Sequence, residues 1–173
     1  RGWRRGDWNT RVAVDEFVGE FEGWSFGWLD VPEMVHNADV VFEYPMVDRD
    51  PVDHWVHGSV ALIGDAAHPM YPVGSNGASQ AILDARCLAD RLTDCDNDVS
   101  AALLDYQAER LPATSEIVRQ NRGGGPERVI DLVNQRAPDG FDRLEDIASH
   151  EELASVVRGY QKTAGFDKAS VNR

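Results

Sequence analysis

The residues best suited to chemistry fall in one stretch: Gly64-Asp65-Ala66-Ala67-His68-Pro69-Met70-Tyr71-Pro72-Val73-Gly74-Ser75-Asn76-Gly77-Ala78-Ser79-Gln80. A carboxylate at Asp65 is followed by a Pro- and Gly-rich loop, and the loop opens into apolar residues at helical intervals. The first turn of a helix carries backbone N–H groups without intrahelical partners and a partial positive charge. Glycines let the backbone of such a loop come close to a bound molecule. An acceptor at Asp65 and amide donors after Gly74 therefore suit an electron-rich ligand. Taken alone, a Gly-Asp pair is more often a solvated strand end, so the wider pattern has to carry the argument.

The elements that must position these residues are legible from periodicity. Residues 59–63 form a short unbroken apolar run that stops at Gly64, as expected for a strand buried on both faces of a mostly parallel sheet. That places Asp65 at a strand's carboxyl end, where ligands of open α/β sheets bind. After the loop at 66–77, Ala78, Ala81, Ile82, Ala85, Leu88, Ala89 and Leu92 recur at intervals of three and four and define one helical stripe. A second helix is predicted over about 99–121, with Leu103, Tyr106, Ile117 and Val118 buried. Gly123-Gly124-Gly125-Pro126 breaks it, and shorter helices follow near 129–133 and 151–160. Upstream, 15–38 reads as short helical pieces whose Trp24, Phe26, Trp28 and Leu29 are expected to form core, and 39–44 reads as a strand ended by Pro45.

Composition narrows the function classes. The chain has 173 residues, 42% of them hydrophobic, enough to bury a core. A formal net charge of -13 opposes a phosphate backbone, so nucleic acid is not an expected partner. Its longest apolar runs fall far short of the roughly 20 residues a membrane span needs, so no membrane partner is expected either. Cys87 and Cys95 have neither C-x-x-C spacing nor companions for a disulfide framework, which points to a reducing, cytoplasmic setting. The opening Arg1-Gly2-Trp3-Arg4-Arg5-Gly6-Asp7 is neither a signal peptide nor a translation start and reads as a cut end.

The 64–80 segment closely resembles the second flavin-binding motif of the group A flavoprotein hydroxylases, the para-hydroxybenzoate hydroxylase-like superfamily. There a Gly-Asp pair is followed by Ala-Ala-His, then proline and two glycines before a helix. The similarity extends upstream through Tyr44-Pro45-Met46-Val47-Asp48-Arg49-Asp50-Pro51 and His54-Trp55, and downstream through Ala81-Ile82-Leu83-Asp84 to Tyr106 and Arg110-Leu111-Pro112. It is clear over about 24–122, most like the phenazine-hydroxylating members, and fades beyond Gly123.

The resemblance implies an α/β fold: the C-terminal portion of an FAD/NAD(P)-binding Rossmann-like fold, helix-rich as a fragment. Residues 1–57 would end the substrate domain, 58–122 supply the returning strand, flavin loop and helices, and 123–173 form a C-terminal helical segment. It also implies FAD as cofactor, NAD(P)H as co-substrate, and O2 with an aromatic or N-heteroaromatic substrate, hydroxylated through a flavin C4a-hydroperoxide. Gly64 and Asp65 would hold FAD, with the carboxylate accepting from a ribityl hydroxyl. Asn76, Gly77 and Ala78 would present amides to the pyrimidine end of the isoalloxazine, and Pro72, Val73 and Gly74 would line the reactive edge. None of these needs to act as an acid or base, and His68 would serve packing and loop geometry.

The family's opening G-x-G-x-x-G turn is missing here, as is its central Asp-Gly motif. The chain is therefore expected to need an N-terminal portion of the same protein, and alone neither to hydroxylate nor to bind FAD tightly. Other readings are a non-catalytic acidic α/β interaction module, or another Gly-Asp flavoenzyme such as a halogenase or isoprenoid reductase. Asp53, His54 and His57 imitate a metal cluster without further ligand spacing, so no metal is expected. Gly123 to Gly125 lacks the Lys-Ser/Thr of a phosphate loop, and Gly74-Ser75-Asn76-Gly77 lacks the G-x-S-x-G spacing of a nucleophile elbow. Trp28, Met46 and Tyr71 are candidates to touch a substrate, though packing explains each as well.

Overall fold

The computed structural model describes residues 8–167 and residue 169. The basic opening at 1–7 and Lys168 lie outside them. The chain divides into two compact units, Arg1–Met46 and Val47–Arg173.

In the first unit, strand β1 (Thr10–Arg11) pairs antiparallel with β2 (Phe42–Glu43). Of the run expected at 39–44 only Phe42 and Glu43 are strand, with the Val41 carbonyl accepting from Val12 N–H just beyond the pair. Helix α1 (Val31–His36) starts where Asp30 accepts from the Glu33 N–H at 2.8 Å and Pro32 sits in the first turn. Phe17, Phe21, Trp24 and Phe26 meet in a chain of edge-to-face contacts. The expectation that 24–29 would form core is corrected here: Trp24, Phe26 and Trp28 are 50%, 55% and 84% exposed. Two-residue strands and a six-residue helix make no layer broad enough to enclose such rings.

The second unit is built on a helical hairpin. Helix α2 (Gly77–Thr93) and α3 (Val99–Arg122) are joined by a short link in which Asp96 and Asn97 adopt left-handed conformations that their side chains tolerate. Asp98 caps α3 by accepting from Ala101 N–H at 3.0 Å, and α3 runs unbroken through Pro112. Leu103, Tyr106, Ile117 and Val118 are all buried, as their spacing predicts. Helices α4 (Arg128–Arg136) and α5 (His150–Ala164) follow, tied together by Arg136 and Glu152. One apolar cluster joins Trp55, Ala67, Cys87 and Tyr106, and another joins Ile117, Tyr160 and Ala164.

Strand β3 (Val56–His57) turns through Gly58 into β4 (Val60–Ala61) as an antiparallel hairpin. This corrects the expected buried parallel strand at 59–63: Val60, Leu62 and Ile63 are 62%, 37% and 41% exposed. Burial on both faces needs neighbours on both sides, and among the described residues the run has one short partner. The architecture is thus α/β in kind and helix-rich, and none of its described helices is long and apolar enough to cross a membrane.

Candidate flavin-binding turn

The site residues singled out from sequence, Gly64 to Ala78, all lie in the second unit. Gly64–Ala66 forms a single 3-10 turn in which Ala67 N–H and His68 N–H both donate to the Gly64 carbonyl at 2.9 Å. Gly64 has φ +56°, and a Cβ there would fall 3.3 Å from the Ala81 side chain, so the position favours glycine on both counts. The turn leaves Asp65 exposed, and its carboxylate takes no hydrogen bond from the described residues.

A buried polar network holds the turn from behind. Asp84 of α2 is wholly buried and accepts from Gly64 N–H at 3.0 Å, His68 Nε2 at 2.5 Å and Arg110 Nε at 2.8 Å. The Arg110 Nη2 donates to Gln80 Oε1 at 2.6 Å, and Gln80 Nε2 donates to the Ala164 carbonyl at 3.0 Å. The turn, α2, α3 and the end of α5 thus share one chain of hydrogen bonds. Burial pushes the Asp84 carboxyl up, but His68, Arg110 and the Gly64 amide together outweigh it and hold the group below the ordinary carboxylate range. His68 contributes by packing on Trp55 and presenting Nε2 to Asp84, while its Nδ1 is buried without a partner.

The loop that follows is equally constrained. Val73–Ser75 makes a 3-10 turn with Gly74 at φ +71° and Ser75 at φ +51°. The Gly74 N–H donates to Glu127 Oε1 at 2.9 Å. Asn76 precedes α2 with its side chain wholly buried, and neither it nor any other side chain caps the helix. The first turn of α2 carries no acidic residue, Ala78 is exposed, and a Cβ on Gly77 would meet nothing within 4 Å. An exposed free carboxylate and an uncapped helix start with open space at Gly77 fit a ligand rich in both hydroxyl donors and electronegative acceptors.

Several residues that build this site escaped the sequence reading. Asp84, Gln80 and Arg110 figured there only as matched positions, yet Gln80, Asp84 and Cys87 share one helical face, a spacing that could have marked a polar row. Tyr160, Asn121 and Glu127 gave no local signal. Of the substrate candidates, Trp28 and Met46 are exposed within the first unit, and Tyr71 is half-buried with its carbonyl accepting from Asn121 Nδ2. His54 and His57 stack on each other at 5.8 Å.

The family model described as an FAD binding domain matches residues 39–121. Over 119 residues the chain is 50% identical to a phenazine 1,6-dicarboxylic acid hydroxylase of Lysobacter antibioticus, covering 69% of this chain and 29% of that protein. Over 151 residues it is 36% identical to a 3-amino-4-hydroxybenzoate 2-monooxygenase of Streptomyces platensis, covering 84% and 37%. The solved 2,6-dihydroxypyridine-3-hydroxylase of Arthrobacter nicotinovorans superposes with a TM-score of 0.53 at 29% identity, over 64% of this chain and 27% of that one. The chain therefore spans roughly a third of the length of these relatives, 29% and 37% of the two sequences. With its Gly-Asp turn and uncapped helix inside the matched residues, the chain carries the match to an FAD binding domain and is similar over that stretch to flavin-dependent aromatic monooxygenases.

Proposed function

We propose that this chain is the C-terminal part of a cytoplasmic FAD-dependent monooxygenase that hydroxylates an aromatic or N-heteroaromatic ring with NAD(P)H and O2. In this reading 1–57 closes the substrate domain, 58–122 is the returning strand, flavin loop and helices, and 123–173 is a helical C-terminal segment. The observation that carries it is the turn at Gly64: a buried network grips its back, and its front offers the free Asp65 carboxylate.

Asp65 accepts from a ribityl hydroxyl, with the Gly64 backbone fixing where that carboxylate points. Asn76, Gly77 and Ala78 donate amides to the pyrimidine end of the isoalloxazine, and Asn76 also sets the start of their helix. The partial positive charge of that helix end favours negative charge developing there. Pro72, Val73 and Gly74 line the reactive edge with a rigid, small surface that leaves room for oxygen and limits water. FAD, when bound, would supply the redox chemistry that couples NAD(P)H and O2 to insertion of one oxygen atom into the ring, the other leaving as water. No side chain of this chain serves as acid, base or nucleophile.

Alone, the chain is expected neither to hydroxylate nor to hold FAD tightly. The test is to purify the protein on its complete polypeptide, record its visible absorption, and follow NAD(P)H oxidation with phenazine dicarboxylate and aminohydroxybenzoate, the substrate classes named for the relatives. A yellow protein whose NAD(P)H oxidation rises with one of these and yields a hydroxylated product supports the proposal. A colourless protein that takes up no added FAD contradicts it.

A further inference from the structure

The proposed function gives no residue beyond 122 a role toward the cofactor, and Tyr160 lies outside the residues matched by the family model. We infer that Tyr160, on α5, is a positioning residue for the FAD-binding loop, acting through Asn76 and Gly74; the inference rests on the FAD reading of that loop.

The directions of the short hydrogen bonds around Tyr160 follow from one another, the Val73 carbonyl lying farther from its hydroxyl at 3.5 Å. The Tyr71 carbonyl can only accept, so Asn121 presents Nδ2 to it at 3.2 Å and turns Oδ1 toward Tyr160. Asn121 Oδ1 can only accept, so the Tyr160 hydroxyl donates to it at 2.7 Å. The hydroxyl oxygen then accepts from Asn76 Nδ2 at 2.7 Å. Burial raises the Tyr160 phenol above its ordinary value, which keeps the proton this chain requires. The result is that the amide of Asn76 is oriented from α5, with Nδ2 inward and Oδ1 left buried without a partner.

The ring of Tyr160 acts on the same loop by shape. A Cβ on Gly74 would fall 2.4 Å from the Tyr160 hydroxyl oxygen and 2.6 and 2.7 Å from two ring carbons. The ring therefore occupies the space a side chain at residue 74 would need. Gly125 closes the contact from the other side, where a Cβ would lie 2.7 Å from Val73 Cγ1 and 3.4 Å from the ring. Together the ring fixes the left-handed turn at Gly74 and the hydroxyl fixes Asn76, two residues later at the start of α2. The amides of Gly77 and Ala78 follow directly from that residue. A helix 84 residues away in sequence thus sets the donors assigned to the flavin's pyrimidine end.

The test uses the complete protein and its Tyr160→Phe variant, which keeps the ring and removes the hydroxyl. The FAD-free forms are titrated with FAD, the visible circular dichroism of the bound flavin is recorded, and the FAD-free forms are melted. Loss of the hydroxyl strands a buried donor on Asn76 and a buried acceptor on Asn121, so FAD affinity should fall about tenfold and the flavin's visible dichroism should change. Asn121→Ala, which removes the acceptor and leaves the ring, should weaken FAD binding in the same direction and serves as the decisive variant if Tyr160→Phe does not fold. A purely structural Tyr160 would lower the melting temperature and leave both flavin readouts as in wild type; that pattern overturns the inference alone. A wild-type protein that binds no FAD overturns the cofactor reading and this inference with it.

Discussion

Helix α2 presents two faces whose chemistry is the reverse of an ordinary surface helix. Its inward row, Gln80, Asp84 and Cys87, is buried and largely polar, while Ile82, Leu83 and Leu92 are 69%, 38% and 40% exposed on other faces. Ala78, Ala85 and Ala89 are exposed as well. The inward row is sustained because its members are paired: both Asp84 oxygens accept, and both ends of the Gln80 amide are used. Burying polar groups is tolerable only under that condition. The outward residues have no such account among the described residues. The difference teaches that the polar row specifies where the Gly64 turn sits, whereas the apolar residues take no part in holding it.

The contrast can be broken most forcefully at Asp84. Asp84→Ala leaves Arg110 a buried, unpaired charge and strands the Gly64 amide, so urea unfolding should show a loss of about 3–5 kcal/mol. A loss under about 1 kcal/mol would mean that the network is incidental. Acid sharpens the same point. The folded Asp84 carboxyl is depressed, so its contribution is complete above the unfolded carboxylate value near 4 and disappears as pH falls through the lower folded value. The stability gap between wild type and Asp84→Asn should therefore stay flat from neutral pH down to about 5 and close in more acid solution.

Gly74→Ala should come next, at roughly 2–4 kcal/mol, since it combines a left-handed backbone with a collision against Tyr160. Gly77→Ala is the counterpart three residues later: helical, open-sided, and expected to leave stability within about 0.5 kcal/mol of wild type or slightly above it. On the outward face Ile82→Gln should change the stability of this chain by less than about 0.5 kcal/mol. A larger loss in thermal or urea melts would show that Ile82 is covered within this chain after all.

Much of the helical scaffold was legible in the sequence. Helix α3 matches its expected span to within a residue, and its four proposed core residues are buried, because 3.6-residue periodicity is a local signal. The Gly-Asp turn and the helix start were also legible, from a motif contained in seventeen consecutive residues. What failed depended on distant partners. The run at 59–63 has the composition of a buried parallel strand, yet burial is decided by neighbours that its own residues do not encode. The aromatic residues at 24–28 read as core by type, and exposure followed from the small size of their unit. Tyr160 and Asn121 were invisible for the same reason, since one tyrosine on an amphipathic helix announces nothing about a loop 84 positions earlier.

The central claim, that the turn at Gly64 aims the Asp65 carboxylate at FAD, is tested most directly by titrating FAD into the FAD-free complete protein and its Asp65→Ala variant. Asp65 is exposed and unpartnered, so the account predicts an unchanged melting temperature without FAD and an affinity lower by about 10- to 100-fold, the contribution of a charge-assisted hydrogen bond. Equal FAD affinity in the two proteins would contradict it.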